Sequence, residues 1–391
     1  MSRLVIPISG IGVVAPGAIG VGAFRNLLLS GTTAIRVVDR FNTEGLSAHS
    51  AALVRDFNAK EFIAPMKMRR MNSLSRFAAA AARLALRDAG IEKLNPAAGV
   101  ALGTSFGPVQ TSVDYMQEYV EKGAALAPPQ LFAESVANAP GSHIAIENDL
   151  RGFNVTVTQR ESSMLAAAMY GASQIAKGAA PAALIGGVEE VNEMIFSVLD
   201  RLGALGDQSR PFDRRRNGMI IGEGSAIFVI GNGAGKRYAD ISGFGMARDT
   251  TATVSDWGQD EQSVVSAMRA AIDDAAIRVE DVDAIYASAN STQKADRLEY
   301  RAIQSLFGAS LPVVATKGYF GEYAGGGALQ FAAAVLAIHD QTLHASSGFE
   351  RGDDEMLIDV NRATRPAALR HVLVNSVSAG GGIVCAVVSR P

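Results

Sequence analysis

The chain has 391 residues, of which 48% are hydrophobic and 19% are charged; this is the composition of a large globular protein rather than of a disordered or fibrous one. A net charge of −3 gives no electrostatic reason to expect nucleic acid or an anionic membrane as a partner. The single cysteine, Cys385, excludes an intramolecular disulfide and a cysteine-rich metal site. The N-terminus lacks the apolar core of a signal peptide, and no apolar run approaches the length of a membrane span. We therefore expect a cytoplasmic protein that has no membrane span and uses neither a metal nor a cofactor.

Strand and helix patterns alternate along the whole sequence. In the first part, apolar runs predict strands and alanine-rich segments predict helices; the strands are residues 4–14, 100–103, 155–158, 182–185 and 226–230, and the helices are 21–30, 74–89 and 164–177. Residues 231–236 are predicted to form a crossover. The second part has predicted strands at 241–246, 284–287, 311–314, 372–374 and 383–389, and helices at 261–276, 297–307 and 324–340. This alternation indicates an α/β fold with mixed, mostly parallel sheets.

The stretch from Gly152 to Gly187 is the most informative part of the sequence. It predicts a strand, a polar elbow at residues 159–163, an alanine-rich helix and a buried strand, which together form a βαβ unit. The elbow then lies at a helix N-terminus, where unpaired N–H groups and the helix dipole favour negative charge. Enzymes place nucleophiles at such positions. Here the most prominent elbow residue is Glu161, and a carboxylate is a poor acyl nucleophile.

Several separate strings match one enzyme family in order and spacing. Gly152 precedes the elbow, Ser162-Ser163 follow Glu161, and the unit ends at Gly186-Gly187-Val188-Glu189. Further strings lie at residues 11–17, 138–143, 209–213 and 218–224. Together they resemble the β-ketoacyl-acyl-carrier-protein synthases, which have the thiolase fold. The resemblance implies a thiolase-like, duplicated five-layer αβαβα fold, with an N-terminal half at residues 1–235 that carries the dimer interface and a C-terminal half at residues 236–391.

The resemblance also locates the family's catalytic residues. These enzymes use a cysteine to carry the acyl chain and two histidines to stabilise the developing enolate. The cysteine falls on Glu161, the first histidine on Ser288 and the second on Glu322, whereas the family's lysine is retained as Lys317. None of the five histidines lies at a catalytic position. We therefore expect no condensation chemistry from this chain alone.

Two interpretations of the acidic replacements remain open. Glu161 can simply satisfy the helix N-terminus, paired with Arg160, and Glu322 can form a buried ion pair with Lys317. Alternatively, Glu161 and Glu322 face each other in the pocket, in which case one of them has a raised pKa. Such a pair could act as an acid and a base in malonyl decarboxylation or priming.

A ketosynthase-like chain without ketosynthase residues resembles the chain-length factor of type II polyketide synthases, the non-catalytic β subunit of a ketosynthase heterodimer. The resemblance implies two partners, an active ketosynthase paralogue and an acyl carrier protein that bears a malonyl group or the growing chain. A bacterial system of the aryl polyene type is one such setting. Two alternatives are the decarboxylating or priming enzyme and a stand-alone, non-catalytic homodimeric binding protein.

The same resemblance assigns two surfaces. The residues after the strand at 100–103 lie at the family's dimer interface and partly reach the partner's acyl tunnel. The predicted tunnel and interface residues are Phe106, Val109, Thr111, Ser112, Val113, Met116 and Phe132. The family docks its acidic carrier protein on basic residues, and the matching residues are Lys67, Arg69 and Arg70.

Overall fold

The computed structural model describes residues 5–231 and 236–391. The strands are β1 (Ile6–Ala15), β2 (Ala18–Ile19), β3 (Arg36–Val37), β4 (Ser50–Ala51), β5 (Gly99–Gly103), β6 (Asn154–Val157), β7 (Ala182–Glu189), β8 (Gly224–Gly231), β9 (Ala239–Arg248), β10 (Ala284–Tyr286), β11 (Pro312–Val314), β12 (Thr342–Leu343), β13 (Asp359–Val360), β14 (Arg365–Pro366), β15 (His371–Val377) and β16 (Gly382–Ser389). The helices are α1 (Val21–Ser30), α2 (Pro65–Met68), α3 (Ser73–Asp88), α4 (Val109–Lys122), α5 (Pro129–Glu134), α6 (Ala139–Glu147), α7 (Ser163–Ala176), α8 (Glu193–Arg201), α9 (Glu261–Asp274), α10 (Gln293–Phe307), α11 (Lys317–Phe320) and α12 (Ala328–Asp340).

The main sheet contains two copies of one strand arrangement. In the first half the order is β1-β8-β7-β5-β6, and in the second it is β9-β16-β15-β10-β11. In each copy the first three strands pair antiparallel with their neighbours, and the last two join in parallel. An antiparallel pairing of β1 with β9 connects the copies. The duplication that the family resemblance implied is therefore present in the topology.

The helices complete five layers. Helix α3 packs on β1 and β8, and α9 packs on β9 and β16, so these helices form the two outer layers. Helices α7 and α12 contact strands of both halves. Helix α12 is almost entirely buried in the largest apolar core, and residues 164–168 of α7 are buried in the same core. Small side chains let the two helices fit between sheets, which explains the alanine content of this middle layer.

Close packing of the outer helices repeats in the two halves. A Cβ on Gly12 of β1 would lie 1.9 Å from the carbonyl oxygen of Ala81 in α3. In the second half, a Cβ on Gly245 of β9 would lie 2.0 Å from the carbonyl oxygen of Ala267 in α9. Any larger residue at either glycine would push the outer helix off its sheet, so the two halves share the same packing constraint.

Two predicted segments differ from the structure or lie outside it. The helix predicted at 324–340 starts only at Ala328, because Gly325 and Gly326 adopt left-handed φ values of 64° and 59° within a 3-10 turn. Most of the predicted crossover at residues 231–236, and Leu4 at the start of the first predicted strand, lie outside the described residues. The boundary between residues 235 and 236 stays a prediction. Among the described residues, no helix is long and apolar enough to cross a membrane.

Candidate functional site

The polar elbow forms a tight turn between β6 and α7. Arg160 has a left-handed φ of 47° and opens a 3-10 turn, Arg160–Ser162. The hydroxyls of Ser105 and Ser163 donate hydrogen bonds to the Arg160 carbonyl oxygen over 3.0 and 2.6 Å. The hydroxyl of Ser376 donates to the carbonyl oxygen of Glu161 over 2.8 Å. These bonds hold the elbow against both the β5 loop and β15.

The carboxylate of Glu161 is bound inside the protein. Its Oε1 accepts a hydrogen bond from the Tyr323 hydroxyl over 2.8 Å, and its Oε2 accepts one from the Ala379 N–H over 3.1 Å. Tyr323 and Ala379, rather than the expected Arg160, therefore bind this carboxylate. Burial raises the pKa of Glu161 to about 7, with a further contribution from the negative charge of Glu322.

The second acidic replacement is paired with the retained lysine. Lys317 Nζ lies 2.7 Å from Glu322 Oε2, and the ion pair is buried, so the predicted pairing is confirmed. The Asn290 amide donates to the same oxygen over 2.8 Å, and the Tyr323 N–H donates to Glu322 Oε1 over 2.8 Å. Lys317 Nζ also donates to the Ser288 carbonyl oxygen over 2.7 Å. The three positions at which the resemblance places catalytic residues thus lie in one connected network, which we call the polar cluster: Glu161, Ser288, Asn290, Lys317, Glu322 and Tyr323.

Two further carboxylates position the backbone of this cluster. Asp296 accepts hydrogen bonds from the N–H groups of Phe212 and Asn290, and Glu299 accepts one from the N–H of Ser288 over 2.8 Å. Burial raises the pKa of Asp296 to about 6 and that of Glu299 to about 7. Asn375 of β15 also donates to Glu299 over 3.0 Å. The contacts to Ser288 and Asn290 are to backbone groups of the loop that follows β10, so the two carboxylates hold this loop in shape and join it to neighbouring elements.

A cavity of about 630 Å³ reaches the cluster from outside. We call it the outer cavity; its lining includes Leu202, Trp257, Lys294, Tyr323 and Ala379. Glu161 is not part of this lining, and only 2% of its surface is exposed. The two groups that bind Glu161 therefore also separate it from the cavity.

The predicted tunnel and interface residues are spread over a continuous region. Phe106 packs edge-on against the Tyr323 ring with centroids 4.9 Å apart, which connects this region to the polar cluster. Thr111 is buried, whereas Val109, Ser112 and Val113 are half-buried along α4. Met116 and Phe132 are exposed by 53% and 58%. They belong to the apolar face, a set of exposed apolar residues on α4, α5 and the adjoining loops: Met116, Tyr119, Val120, Leu126, Phe132 and Val136.

The predicted carrier-docking residues lie on the surface near the start of α3. Lys67 is in the short helix α2 and forms an ion pair of 2.8 Å with Glu147 of α6. Arg69 and Arg70 follow α2 and are exposed. Both arginines line a cavity of about 340 Å³ beside α4 and α5. Both arginines therefore lie beside α4 and α5, the helices that carry part of the apolar face.

Comparison with known proteins decides the family. Residues 5–233 match the model of the β-ketoacyl synthase N-terminal domain, and residues 238–350 match that of the β-ketoacyl synthase C-terminal domain. The chain belongs to the β-ketoacyl synthase family. It is 30% identical to the 3-oxoacyl-[acyl-carrier-protein] synthase 2 of Coxiella burnetii, over all of this chain and 99% of the relative.

Similar proteins also include subunits of polyketide synthases. The chain is 30% identical to the ketoacyl synthase alpha subunit of the tetracenomycin polyketide synthase of Streptomyces glaucescens, over 99% of this chain and 97% of the relative. Among solved structures, it resembles the ishigamide ketosynthase/chain length factor with a TM-score of 0.91 and 27% identity, over the full length of both chains. The thiolase-like ketosynthase fold expected from the sequence is thereby confirmed.

Sequence reasoning missed the residue that joins the parts of this site. Tyr323 binds both acidic replacements and packs on Phe106. The available signal was its place directly after Glu322 and before a run of glycines. It also missed Glu189, whose buried carboxylate accepts hydrogen bonds from the N–H groups of Ser105 and Phe106. Burial raises the pKa of Glu189 to about 8.

Proposed function

We propose that this chain is a non-condensing member of the β-ketoacyl synthase family that pairs with an active ketosynthase, as a chain-length factor does. In the pair, it shapes the tunnel in which the acyl or polyketide chain grows. The observation that carries the proposal is the state of position 161. There a buried carboxylate, bound by Tyr323 and Ala379, stands where the family resemblance puts the nucleophilic cysteine.

The remaining groups do not supply the missing chemistry. Acyl transfer of this kind needs a thiolate that an acyl chain can reach. Cys385 lies in β16 with none of its surface exposed, its thiol donates to the Asn375 side-chain oxygen, and burial raises its pKa. Ser288 Oγ accepts the N–H of Val377 over 3.0 Å and donates its own proton to the Val377 carbonyl oxygen over 3.5 Å. The Glu322 carboxylate, paired with Lys317, offers only acceptor oxygens. Neither replaced histidine position therefore presents a free donor for an enolate oxygen.

Two surface features of the N-terminal half suit pairing with a second chain. The apolar face exposes Val120 by 77% and Leu126 by 69% of their surface, and clustered exposure of this kind marks interaction sites. Strand β6 lies at the edge of the main sheet, next to β5. An edge strand presents unpaired N–H and C=O groups that can pair with a strand of a second chain. The two features together favour pairing through the N-terminal half.

The choice of partner rests on two supports. A relative at 30% identity is named as the alpha subunit of a polyketide ketosynthase, and a structural neighbour is described as a ketosynthase/chain length factor. Lys67, Arg69 and Arg70 are exposed, and the two arginines lie beside α4 and α5; positive charge there suits an acidic carrier protein. We therefore propose both an active ketosynthase and an acyl carrier protein as partners.

The central test is co-expression with a paralogue that retains the cysteine and both histidines. Native mass spectrometry is expected to show a one-to-one complex or a multiple of it. The complex is expected to extend malonyl-carrier protein, to lose turnover when the partner's cysteine is replaced by alanine, and to keep most of it with Glu161→Ala. A stable homodimer that ignores the paralogue would count against the proposal and favour a stand-alone binding protein.

An acid–base role for the pair of glutamates is the second candidate. It is favoured by one observation: the pKa of Glu161 is raised to about 7, partly by Glu322, which suits proton transfer near neutral pH. The burial of Glu161 behind Tyr323 opposes it. The measurement is malonyl-carrier decarboxylation by the chain alone, compared with Glu161→Gln and Glu322→Gln. Decarboxylation that only the unsubstituted chain performs would establish this role.

A further inference from the structure

Tyr323 has a backbone conformation that its neighbours must enforce. Its φ of 63° and ψ of −9° lie in the left-handed region, which a bulky aromatic residue rarely occupies. Three contacts fix it: its N–H donates to Glu322, its hydroxyl donates to Glu161, and its ring packs on Phe106. Strained residues persist where the surrounding structure determines them. The side chain is therefore held in one place from three directions.

The Tyr323 side chain lies at the boundary between the outer cavity and the elbow. Tyr323 lines the outer cavity, whereas Glu161 behind it does not. On its other side, the Tyr323 ring meets Phe106, the first of the predicted tunnel and interface residues. Tyr323, together with Ala379, therefore stands between the outer cavity and position 161, and Tyr323 also stands between the cavity and Phe106.

We propose that Tyr323 is a plug, a side chain that closes the inner end of the outer cavity and makes the cavity a dead end. The plug excludes a rod-like acyl or thioester group from the interior of this subunit. The inference deepens the proposed function and rests on it, since a closed subunit can shape a chain that grows only on its partner. It concerns this chain alone, so it can be tested without any partner.

The chain provides a favourable background for a thiol-labelling test. Glu161→Cys places a thiol behind the plug, and the native Cys385 is fully buried with a raised pKa, so it labels only on unfolding. Tyr323→Gly opens the plug and suits the left-handed φ at this position. Tyr323→Phe retains the ring and removes only the hydroxyl. Gln293→Cys, on the exposed part of the same cavity, reports reagent access.

The measurement is the rate of alkylation by iodoacetamide, followed by intact mass and peptide mapping. Glu161→Cys is expected to label at least tenfold more slowly than Gln293→Cys. Adding Tyr323→Gly is expected to raise the Glu161→Cys rate at least tenfold, while Tyr323→Phe changes it less. The Gln293→Cys rate should be the same with and without Tyr323→Gly, which shows that reagent access to the cavity is unchanged.

Two results would overturn the plug. One is Glu161→Cys labelling as fast as Gln293→Cys with Tyr323 in place. The other is no acceleration by Tyr323→Gly, or by Tyr323→Ala if the glycine variant labels Cys385 and is therefore unfolded. Failure of the proposed function would appear separately, as absence of a complex with the ketosynthase paralogue while the labelling pattern holds.

Discussion

The polar cluster and the apolar face both depart from the usual distribution of side chains. The cluster places charged side chains inside the protein, and the apolar face places large apolar side chains on its surface. The cluster buries Glu161, Lys317 and Glu322, each with at most 3% of its surface exposed. The apolar face leaves Met116 and Phe132 more than half exposed. Charged residues are rarely buried unless paired, and large exposed apolar patches mark interaction sites.

The two regions differ in whether their side chains find interaction partners within the chain. The polar groups of the cluster are hydrogen-bonded to one another or to adjacent backbone, and Lys317 neutralises Glu322 across a contact of 2.7 Å. The apolar face has no such partner in the described residues. A site whose groups already satisfy each other is typical of structure, whereas an unsatisfied surface is typical of binding. The comparison therefore favours a role for this chain that depends on its surface.

The largest effect is expected from breaking the ion pair in the cluster. Lys317→Met leaves Glu322 buried without its counter-ion, which typically destabilises a protein by about 3–5 kcal/mol. Urea denaturation measures the change in the free energy of unfolding. The exposed pair Arg351–Asp354, at 3.0 Å, provides the matched control: Arg351→Ala is expected to cost less than about 1 kcal/mol. If the two variants lose the same free energy of unfolding, the Lys317–Glu322 pair contributes no more than an exposed ion pair.

A charge on the apolar face is expected to affect assembly rather than folding. Met116→Lys combined with Phe132→Lys should weaken binding to the ketosynthase about 100-fold, or roughly 2.7 kcal/mol, because two apolar anchors become charged within the interface. Analytical ultracentrifugation gives the dissociation constant. Leu357→Lys is the control, because Leu357 is exposed by 58%, the same fraction as Phe132. Unchanged assembly of the double variant would remove this face from the interface.

The titration of Glu161 is expected to contribute a smaller, pH-dependent effect. Its folded pKa of about 7 exceeds the ordinary value of 4.5, so its protonation stabilises the fold at low pH, and this contribution is lost as the pH rises toward 7. Glu161→Gln retains a neutral side chain and should raise the free energy of unfolding at pH 8 by about 1 kcal/mol or more. Denaturation at pH 5 and pH 8 measures the difference; a gain that is equal at both values would exclude the titration.

The last expected effect is on the length of the product made by an assembled pair. Ser112→Phe and Val113→Phe fill half-buried positions on α4, and at least one should give shorter products from an assembled pair, since a packed tunnel has no room for extra methylenes. Thr111 is buried within this chain, so Thr111→Phe should instead lower stability by about 1–3 kcal/mol. Product masses and size-exclusion profiles measure both effects. Gln117→Phe, at an exposed position, is the control. If every assembled variant gives wild-type products, product length is determined outside these positions of α4.

Much of the fold could be predicted because local patterns agree with tertiary structure. The helix predicted at residues 21–30 has these bounds in the structure, and the strand predicted at 383–389 begins one residue earlier, at Gly382. The duplication was predicted by resemblance alone, because its physical signature is the order and direction of strands, which leaves little trace in residue identities. The glycines before Ala328 show a further limit. Their turn packs against the backbone of β7, where a Cβ on Gly187 would lie 2.1 Å from the Gly325 carbonyl oxygen, and this contact joins segments far apart in the sequence.

The candidate site could be predicted only in part. The pairing of Lys317 with Glu322 follows from opposite charges five residues apart around a tight turn, and the structure confirms it. The pairing of Glu161 with Arg160 is wrong, because the left-handed elbow leaves the Glu161 carboxylate facing Tyr323, 162 positions away. No short-range pattern encodes such a contact. The roles assigned to Lys67, Arg69, Arg70 and the α4 residues stay predictions.

The middle layer has a consequence for which amino acids position 161 can tolerate. Helix α7 begins just after Glu161, and the N-terminus of α12 approaches it, since a Cβ on Gly327 would lie 3.0 Å from the Glu161 carbonyl oxygen. Two positive helix ends thus converge on one buried position. In a saturation library selected for folded protein, acidic and neutral residues should persist at 161, while lysine and arginine should be depleted. The substitutions tolerated at position 161 are thereby directed toward acidic and neutral side chains and away from basic ones.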